Sequence, residues 1–338
     1  MTILVTGGAG YIGAHTCVEL LEAGFEVVVV DSFHNAAPEA PRRVRQLTGR
    51  DFPVYTADVR SRDALRAVFS AHEPTAVIHF AGLKAVGESV ERPLAYFDAN
   101  VHGSQVLADV MAEFNVKTLV FSSSATVYGD PDTLPLTEDA PLKRPVNPYG
   151  RSKLMVEDVL RDVQGADPEW RIGLLRYFNP VGAHPSGLIG ENPLGHPNNL
   201  MPIVAEAALG LRQEVRVFGG DYPTPDGTGV RDYIHVVDLA QAHVAALDRL
   251  AEEDRGQVLT LNLGTGRGHS VLEVIRAFEA ASGRTVPYTV TGRRPGDVAA
   301  CYTDPSRARE RLGWQAVHDL DRMCADAWRW HAANPEGL

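Results

Sequence analysis

Cysteine, lysine and long apolar runs are all scarce in this chain of 338 residues. The three cysteines, Cys17, Cys301 and Cys324, stand far apart and in odd number. They supply neither a disulfide framework nor a CxxC metal clip, and they suit a reducing compartment. No apolar stretch approaches the roughly 18 residues of a membrane span, and the opening Met1-Thr2-Ile3-Leu4-Val5 lacks the basic start of a secretion signal. The expected address is the cytoplasm, with no membrane partner. Positive charge is also short: 32 basic side chains face 43 acidic ones, a formal net charge of −11. Without a basic run to offset that sum, nucleic acid is not an expected partner. Only Lys84, Lys117, Lys143 and Lys153 are lysines, so a lysine in a chemically suggestive place stands out. What is present is ordinary for a folded chain, with 44% hydrophobic and 22% charged residues, which excludes a disordered or fibrous polypeptide. The length allows one large α/β unit with a smaller companion.

Short β-branched runs alternate with longer helical stretches through the first half. Residues 2–6, 26–30, 53–56, 76–79, 118–121 and 171–177 read as strands, and 12–21, 63–72 and 94–114 as helices between them. The pattern predicts an α/β fold, a Rossmann-type doubly wound parallel sheet with a smaller C-terminal α/β substrate domain. Residues 1–180 form the expected dinucleotide-binding domain and 181–338 the second domain. The segments 234–237 and 258–263 read as strands that return to the main sheet. After Asn179 the texture changes to Gly/Pro-rich loops such as Asn179-Pro180-Val181-Gly182 and Asp221-Tyr222-Pro223-Thr224-Pro225-Asp226-Gly227, which in a compact protein line binding sites. A doubly wound sheet places its ligands at the carboxyl ends of its strands, so the chemistry is sought just after each one.

The first strand runs straight into Gly7-Gly8-Ala9-Gly10-Tyr11-Ile12-Gly13, and a helix follows. Glycines here permit a tight turn and a close approach of backbone to a pyrophosphate, which rests on the positive N-terminus of the helix. Asp31 ends the second strand about 20 residues on, where an acid can accept from both hydroxyls of an adenosine ribose. The same acid repels a 2′-phosphate, so NAD is expected rather than NADP. Asp58, after the third strand, is placed to meet the adenine. Phe80-Ala81-Gly82-Leu83-Lys84 follows the fourth with small residues that let a cofactor lie close.

The fifth strand leads into Ser122-Ser123-Ser124, and Asn147-Pro148-Tyr149-Gly150-Arg151-Ser152-Lys153 opens the next helix. Asn147 is a good N-cap and Pro148 a good first residue. Tyr149 then sits in the first turn, with Lys153 four residues later on the same face. An ammonium so placed is expected to lower the phenol pKa from its usual value of about 10, and the positive nicotinamide of NAD to lower it further, making Tyr149 a base near neutral pH. Ser124 can relay a proton or orient a sugar hydroxyl.

This Ser/Tyr/Lys set, together with Gly7, Gly10 and Gly13, resembles the extended short-chain dehydrogenase/reductase superfamily. The stretches 80–90, 122–128, 175–187, 198–202 and 227–236 are similar to those of its UDP-glucose (UDP-galactose) 4-epimerase family, over nearly the whole chain. The resemblance implies an isomerase of galactose metabolism with tightly bound NAD. Tyr149 would take the proton of the sugar 4-hydroxyl as the C4 hydride leaves, and the 4-keto sugar would turn over before the hydride returns. It adds cofactor contacts from Tyr11, Ile12, Ser32, Asn35, Val59, Phe80, Ala81, Gly82, Lys84 and Phe178, beside those of Tyr149 and Lys153. On the substrate side it implies Ser124, Tyr149, Asn179, Asn199 and Leu200 at a helix start, Val217 and Phe218 flanking the uracil, Arg231 and Arg294 on the diphosphate, and Asp297 on the ribose. It also implies a homodimer through the helices after strands three and four.

Two departures from the family pattern matter. Cys301 stands where members restricted to plain hexoses resemble one another in carrying tyrosine, leaving room for an N-acetyl group; in the alternative, Tyr302 closes the pocket instead. Ala99 precedes Asn100 where relatives often have paired asparagines, which removes one polar contact to the cofactor. His184, His196 and His235 have no metal-ligand spacing, and no metal is expected. A nucleotide-sugar 4,6-dehydratase would share the Tyr/Lys pair but needs carboxylates beside its active serine or threonine, and Ser124-Ala125-Thr126 has none. A non-catalytic NAD-sensing regulator on the same fold is the remaining alternative; retention of Ser124, Tyr149 and Lys153 weighs against it.

Overall fold

In the computed structural model, which describes every residue except Leu194, His196, Asp254 and Pro295, the first half alternates strand and helix. It reads β1 (Thr2–Thr6), α1 (Tyr11–Glu22), β2 (Glu26–Asp31), α2 (Glu39–Thr48), β3 (Val54–Thr56), α3 (Arg62–His72), β4 (Ala76–His79), α4 (Val86–Glu91), α5 (Pro93–Tyr96), α6 (Gly103–Glu113), β5 (Thr118–Ser124), α7 (Pro148–Ala166) and β6 (Arg171–Tyr177). The second half reads β7 (Asn179–Val181), α8 (Leu200–Ala208), β8 (Val215–Phe218), β9 (Val230–His235), α9 (Val236–Ala251), β10 (Gln257–Leu263), β11 (Gly268–Ser270), α10 (Val271–Ser282), β12 (Tyr288–Thr291), β13 (Ala300–Cys301), α11 (Ser306–Leu312) and α12 (Leu320–Ala333).

Seven parallel strands in the order β3-β2-β1-β4-β5-β6-β10 make the main sheet. The order reverses between β1 and β4, the topological switch point at which such sheets open a crevice for ligands. Both faces are covered. Cys17 and Val18 of α1, Val44 of α2 and Leu239 of α9 bury one face, while Leu65 of α3, Leu107 of α6 and Val156 of α7 bury the other. That double cover explains the uninterrupted Val27–Val30 run of β2, since a strand buried on both faces has no polar side to alternate with. A smaller sheet of β7, β9, β11 and β13 and a two-stranded β8/β12 ribbon belong to a separate core, built from Val204 of α8, Phe278 of α10 and Met323 of α12. Helix α10 starts on a reciprocal cap: Ser270 Oγ accepts from Glu273 N at 3.0 Å and Glu273 accepts from Ser270 N at 2.7 Å.

Three details differ from the sequence reading. Strand β5 continues through Ser124 instead of ending at 121, because Ser122, Ser123 and Ser124 pair with Leu175, Arg176 and Tyr177 of β6; ladder pairing overrides the weak strand preference of serine. The helix read over 94–114 is divided by a π-helical turn at Phe97–His102, a distortion that often marks functional sites. Of the two segments thought to return to the main sheet, 258–263 does so as part of β10, but 234–237 does not. Its first residues end β9 in the small sheet, and His235 caps α9 by accepting from Val237 N at 3.1 Å, so the chain is helical from Val236.

Candidate active site

The glycine turn lies where β1 meets α1, and its glycines answer to close packing. Gly7 has φ of +72°, and a Cβ there would lie 2.7 Å from Ala81 N. A Cβ on Gly13 would lie 2.2 Å from the Gly7 carbonyl oxygen. No side chain caps α1 at Gly10, which leaves its first-turn N–H groups for an anion. Ile12 packs against the core beneath. Asp31 reaches the turn from β2: its carboxylate accepts from Ala9 N at 3.0 Å and from Phe33 N at 2.8 Å. Burial pushes its pKa up and those N–H groups pull it back. Ser32 and Asn35 are exposed beside it. Phe80 N and Ala81 N both donate to Thr6 O, at 2.9 and 3.1 Å, closing the β4 end onto β1. Asp58 is held by Arg60 at 2.5 Å, which draws its carboxyl below the usual range, and Val59 is buried next to it. A floor without side chains, free helix N–H groups and a buried carboxylate 22 residues from the turn suit a dinucleotide with unphosphorylated ribose.

The catalytic candidates converge at the end of β5. Asn147 Oδ1 accepts from Gly150 N at 2.8 Å and Pro148 begins α7, fixing Tyr149 in its first turn. Lys153 is buried and donates to Ser122 O at 2.7 Å, its ammonium 6.0 Å from the Tyr149 ring centre and 4.9 Å from that of Phe121. Ser124 Oγ accepts from Thr126 N and Oγ1, at 3.2 and 3.0 Å, which starts a 3₁₀ turn over Ala125–Tyr128. The expected lowering of the phenol pKa is not what this chain imposes by itself. Burial raises Tyr149, opposed by a hydrogen bond with Ser124, and the same burial brings Lys153 down to about 8. Low dielectric disfavours both charged forms, so phenolate formation needs additional positive charge at the site.

Asn100, named from the sequence only as the neighbour of Ala99, and Glu191, not singled out there, knit the site together. Asn100, in the π-helical turn, accepts from Leu83 N at 2.7 Å and donates to Leu83 O at 3.0 Å and Ser152 Oγ at 2.9 Å. It therefore pins the loop of Gly82 against the catalytic helix. Glu191, 5% exposed, accepts through one oxygen from Lys84 Nζ at 3.1 Å and from Asn199 Nδ2 at 2.5 Å, joining the cofactor side to the substrate side. Tyr11 makes a similar tie, donating to Gly182 O at 2.7 Å. The π-turn had no sequence signal; Glu191 is one carboxylate among many until the loops fold.

On the substrate side, Asn199 precedes α8 without capping it, so the helix N-terminus at Leu200 is open, and Asn179 is exposed at the start of β7. Arg294 forms a two-pronged pair with Asp297, at 2.9 and 3.1 Å, with its guanidinium 5.5 Å from the Phe218 ring. Val217, in contrast, turns into the core beneath, whereas Phe218 is half-buried. Arg231 of β9 lies in register with Cys301 of β13. Cys301 packs at the margin of a small core formed by Ala125, Val127, Tyr128, Leu136 and Phe178, next in sequence to Ser124. The Tyr302 ring packs over Gly268 of β11 instead. Of the three histidines, His184 Nδ1 bonds Ser186 Oγ at 2.8 Å and His235 Nε2 lies 3.3 Å from Asp326, while His196 lies outside the described residues. No group of three metal-ligating side chains occurs among the described residues. A cavity of about 670 Å³ lined by Tyr233, Arg267, Arg276 and His318 shares no residue with this site.

A doubly wound sheet whose glycine turn faces a Ser/Tyr/Lys set defines a nicotinamide-dependent enzyme of the extended short-chain dehydrogenase/reductase type. The chain belongs to the NAD dependent epimerase/dehydratase family, whose profile matches residues 3–264. It is 57% identical over 337 residues to the UDP-glucose 4-epimerase of Bacillus subtilis (strain 168), covering 100% of this chain and 98% of that one. It is 56% identical over 342 residues to the Homo sapiens UDP-glucose 4-epimerase, covering 99% and 98%. The crystal structure of UDP-glucose 4-epimerase from Bifidobacterium longum in complex with NAD+ and UDP is similar throughout, with a TM-score of 0.97, 55% identity and full coverage of both chains.

Proposed function

We propose that this protein interconverts UDP-glucose and UDP-galactose by inverting sugar C4. The observation that carries the reading is the half-buried Tyr149, held at the start of α7 beside Ser124 and the buried Lys153, at the sheet edge onto which the glycine turn opens. NAD, when bound, supplies the hydride acceptor and donor for C4 and a positive charge near the phenol. Tyr149 Oη takes the 4-hydroxyl proton and gives it back after the 4-keto sugar has turned over about its bond to the diphosphate. Lys153 holds the phenolate charge, and Ser124 orients the hydroxyl between them. Arg231, Arg294 and the open start of α8 offer cationic donors and N–H groups to the diphosphate, which reconciles an acidic chain with a dianionic substrate. The buried Asp31 supports NAD over its 2′-phosphorylated form.

Substrate range is read as wider than plain hexoses. Cys301 packs against the small core next to Ser124 while Tyr302 packs elsewhere, which supports a small side chain at the pocket position and the acceptance of UDP-GlcNAc and UDP-GalNAc as well. A homodimer is supported by the exposed Val90 of α4 and Leu94 of α5, 62% and 81% accessible, and by Met155 on the neighbouring α7. Three free cysteines agree with a cytoplasmic address. The deciding experiment incubates the purified protein, without added cofactor, with UDP-galactose and separately with UDP-GlcNAc. Conversion of the first to UDP-glucose is expected, and its absence would overturn the epimerase assignment. Conversion of the second to UDP-GalNAc is expected too, and its absence would restrict the enzyme to plain hexoses.

A further inference from the structure

A fully buried charge pair lies directly behind the candidate active site. Helix α7 carries Glu157 four residues after Lys153 and eight after Tyr149, so the three share one helical face. Glu157 and Arg176 of β6 are 0% and 1% exposed. Arg176 donates from Nε to Oε1 at 2.9 Å and from Nη2 to Oε2 at 2.5 Å. Ser123 Oγ also donates to Glu157 Oε1, at 2.5 Å. The third guanidinium nitrogen donates to Tyr128 Oη at 3.0 Å, and that hydroxyl donates to Asn262 Oδ1 at 2.6 Å. Asn262 Nδ2 continues to Leu136 O at 3.1 Å, and Leu136 N donates to Tyr302 O at 2.9 Å. One polar chain thus runs from the catalytic helix through β6 and β10 to the residue after Cys301.

Burying an ion pair is a poor way to gain stability, since well-packed apolar residues often do as well or better, whereas its directional bonds define one geometry. Here those bonds act where geometry decides the rate. Ser122 accepts from Lys153 on its carbonyl, Ser123 donates its hydroxyl to Glu157, and Ser124 ends the same strand where the first turn of α7, with Tyr149, packs. We propose that Glu157 and Arg176 are a positioning pair that fixes the rotation and register of α7 against β5, and so holds the Tyr149 hydroxyl at Ser124. The inference rests on the epimerase reading above.

The test compares the unmodified holoenzyme with Glu157→Gln, Ser123→Ala and the double variant Glu157→Gln/Arg176→Gln. For each, kcat and KM for UDP-galactose, bound NAD after denaturation and the melting temperature are measured. Glu157→Gln is expected to lose about 10- to 100-fold in kcat, the scale of a roughly 1 Å misplacement, with KM and bound NAD within about twofold of the parent. Ser123→Ala, which keeps the charge pair and cannot fail for lack of it, should lose several-fold in kcat alone. The double variant leaves no lone buried charge, so its melting temperature should recover while kcat stays low. If kcat recovers together with the melting temperature, or if both single variants fold and keep kcat within twofold, the pair is merely structural and the proposal fails. A parallel fall in KM performance and bound NAD would overturn it as well. If Glu157→Gln does not fold, Ser123→Ala and the double variant decide. An unmodified protein that leaves UDP-galactose untouched sinks the epimerase reading itself, a result separate from any difference among the variants.

Discussion

The proposed wider substrate range rests on Cys301, and restoring a bulky side chain there tests it. Cys301 is partly buried against the small core that includes Ala125 and Phe178, so Cys301→Tyr adds bulk on the side of Ser124. Turnover of UDP-GlcNAc should fall by at least about 100-fold, since overpacking costs about 1–3 kcal/mol on top of the lost N-acetyl contacts, with UDP-galactose turnover within a few-fold of the parent. Equal loss on both substrates would mean that Cys301 does not set the range. Lys153 is the second residue to test. Burial has already brought it down to about 8, so it still carries charge at neutral pH, and that charge favours the phenolate of Tyr149. Lys153→Met should lower kcat at pH 7 by about 10²–10⁴-fold, as for loss of acid–base support, and should move the acidic limb of the kcat profile to higher pH. An unshifted limb would show that Lys153 does not act on the phenol. Lys153 was legible from its four-residue spacing to Tyr149 and stood out because lysine is rare, whereas Cys301 was read from its place in the family pattern. The tie that Asn100 makes between Leu83 and Ser152, and any role for Glu191, were not legible, because an amide or a carboxylate acquires meaning only from the atoms it reaches.

At the scale of elements, the turn joining β1 to α1 was readable because its glycines, the strand before it and the helix after it agree. The structure adds how little tolerance it has. Gly13→Ala would place a methyl 2.2 Å from the Gly7 carbonyl oxygen and 2.8 Å from Gly8 Cα, both backbone atoms that cannot swing away. The variant should purify with less than about a tenth of the parental NAD and lose about 1–3 kcal/mol of stability, measured by cofactor release and by urea titration. Full NAD content would show that the turn does not form the cofactor floor. Helix α7 was equally legible, as Asn147 and Pro148 announce its start. The π-helical turn at Phe97–His102 was not, since it arises where Asn100 must face Leu83 and Ser152 together.

For the molecule as a whole, buried histidines set a stability window. His15, His79 and His243 are no more than 2% exposed, and desolvation brings them down to about 3, about 3 and about 4. Their unfolded value is about 6.5. Between that value and the folded ones the unfolded chain binds more protons, so stability is lost as pH falls below about 6.5. Each group contributes about 1.4 kcal/mol per pH unit within the window. The urea midpoint should therefore drop steeply from pH 7.5 to 5, and a flat or rising midpoint would show that these imidazoles are not buried neutral. The two-core architecture belongs to this scale too. A smaller C-terminal α/β unit was expected from the sequence, but the strand pairing of the sheet around β9 and its core of Val204, Phe278 and Met323 were not apparent from the Gly/Pro-rich loops.

Local chemistry in the sequence was enough to determine the alternating strands and helices of the main sheet, the glycine turn with its acid, and the Ser124/Tyr149/Lys153 set. Each depends on spacing within one element or between neighbours, which periodicity and capping encode directly. Tertiary structure alone decided that 234–237 leaves the main sheet, that Val217 points inward, that burial raises the Tyr149 pKa, and that Glu157 meets Arg176 behind the serines. Those outcomes depend on burial and on partners from distant segments, and a linear pattern holds no record of which desolvated groups will share a bond.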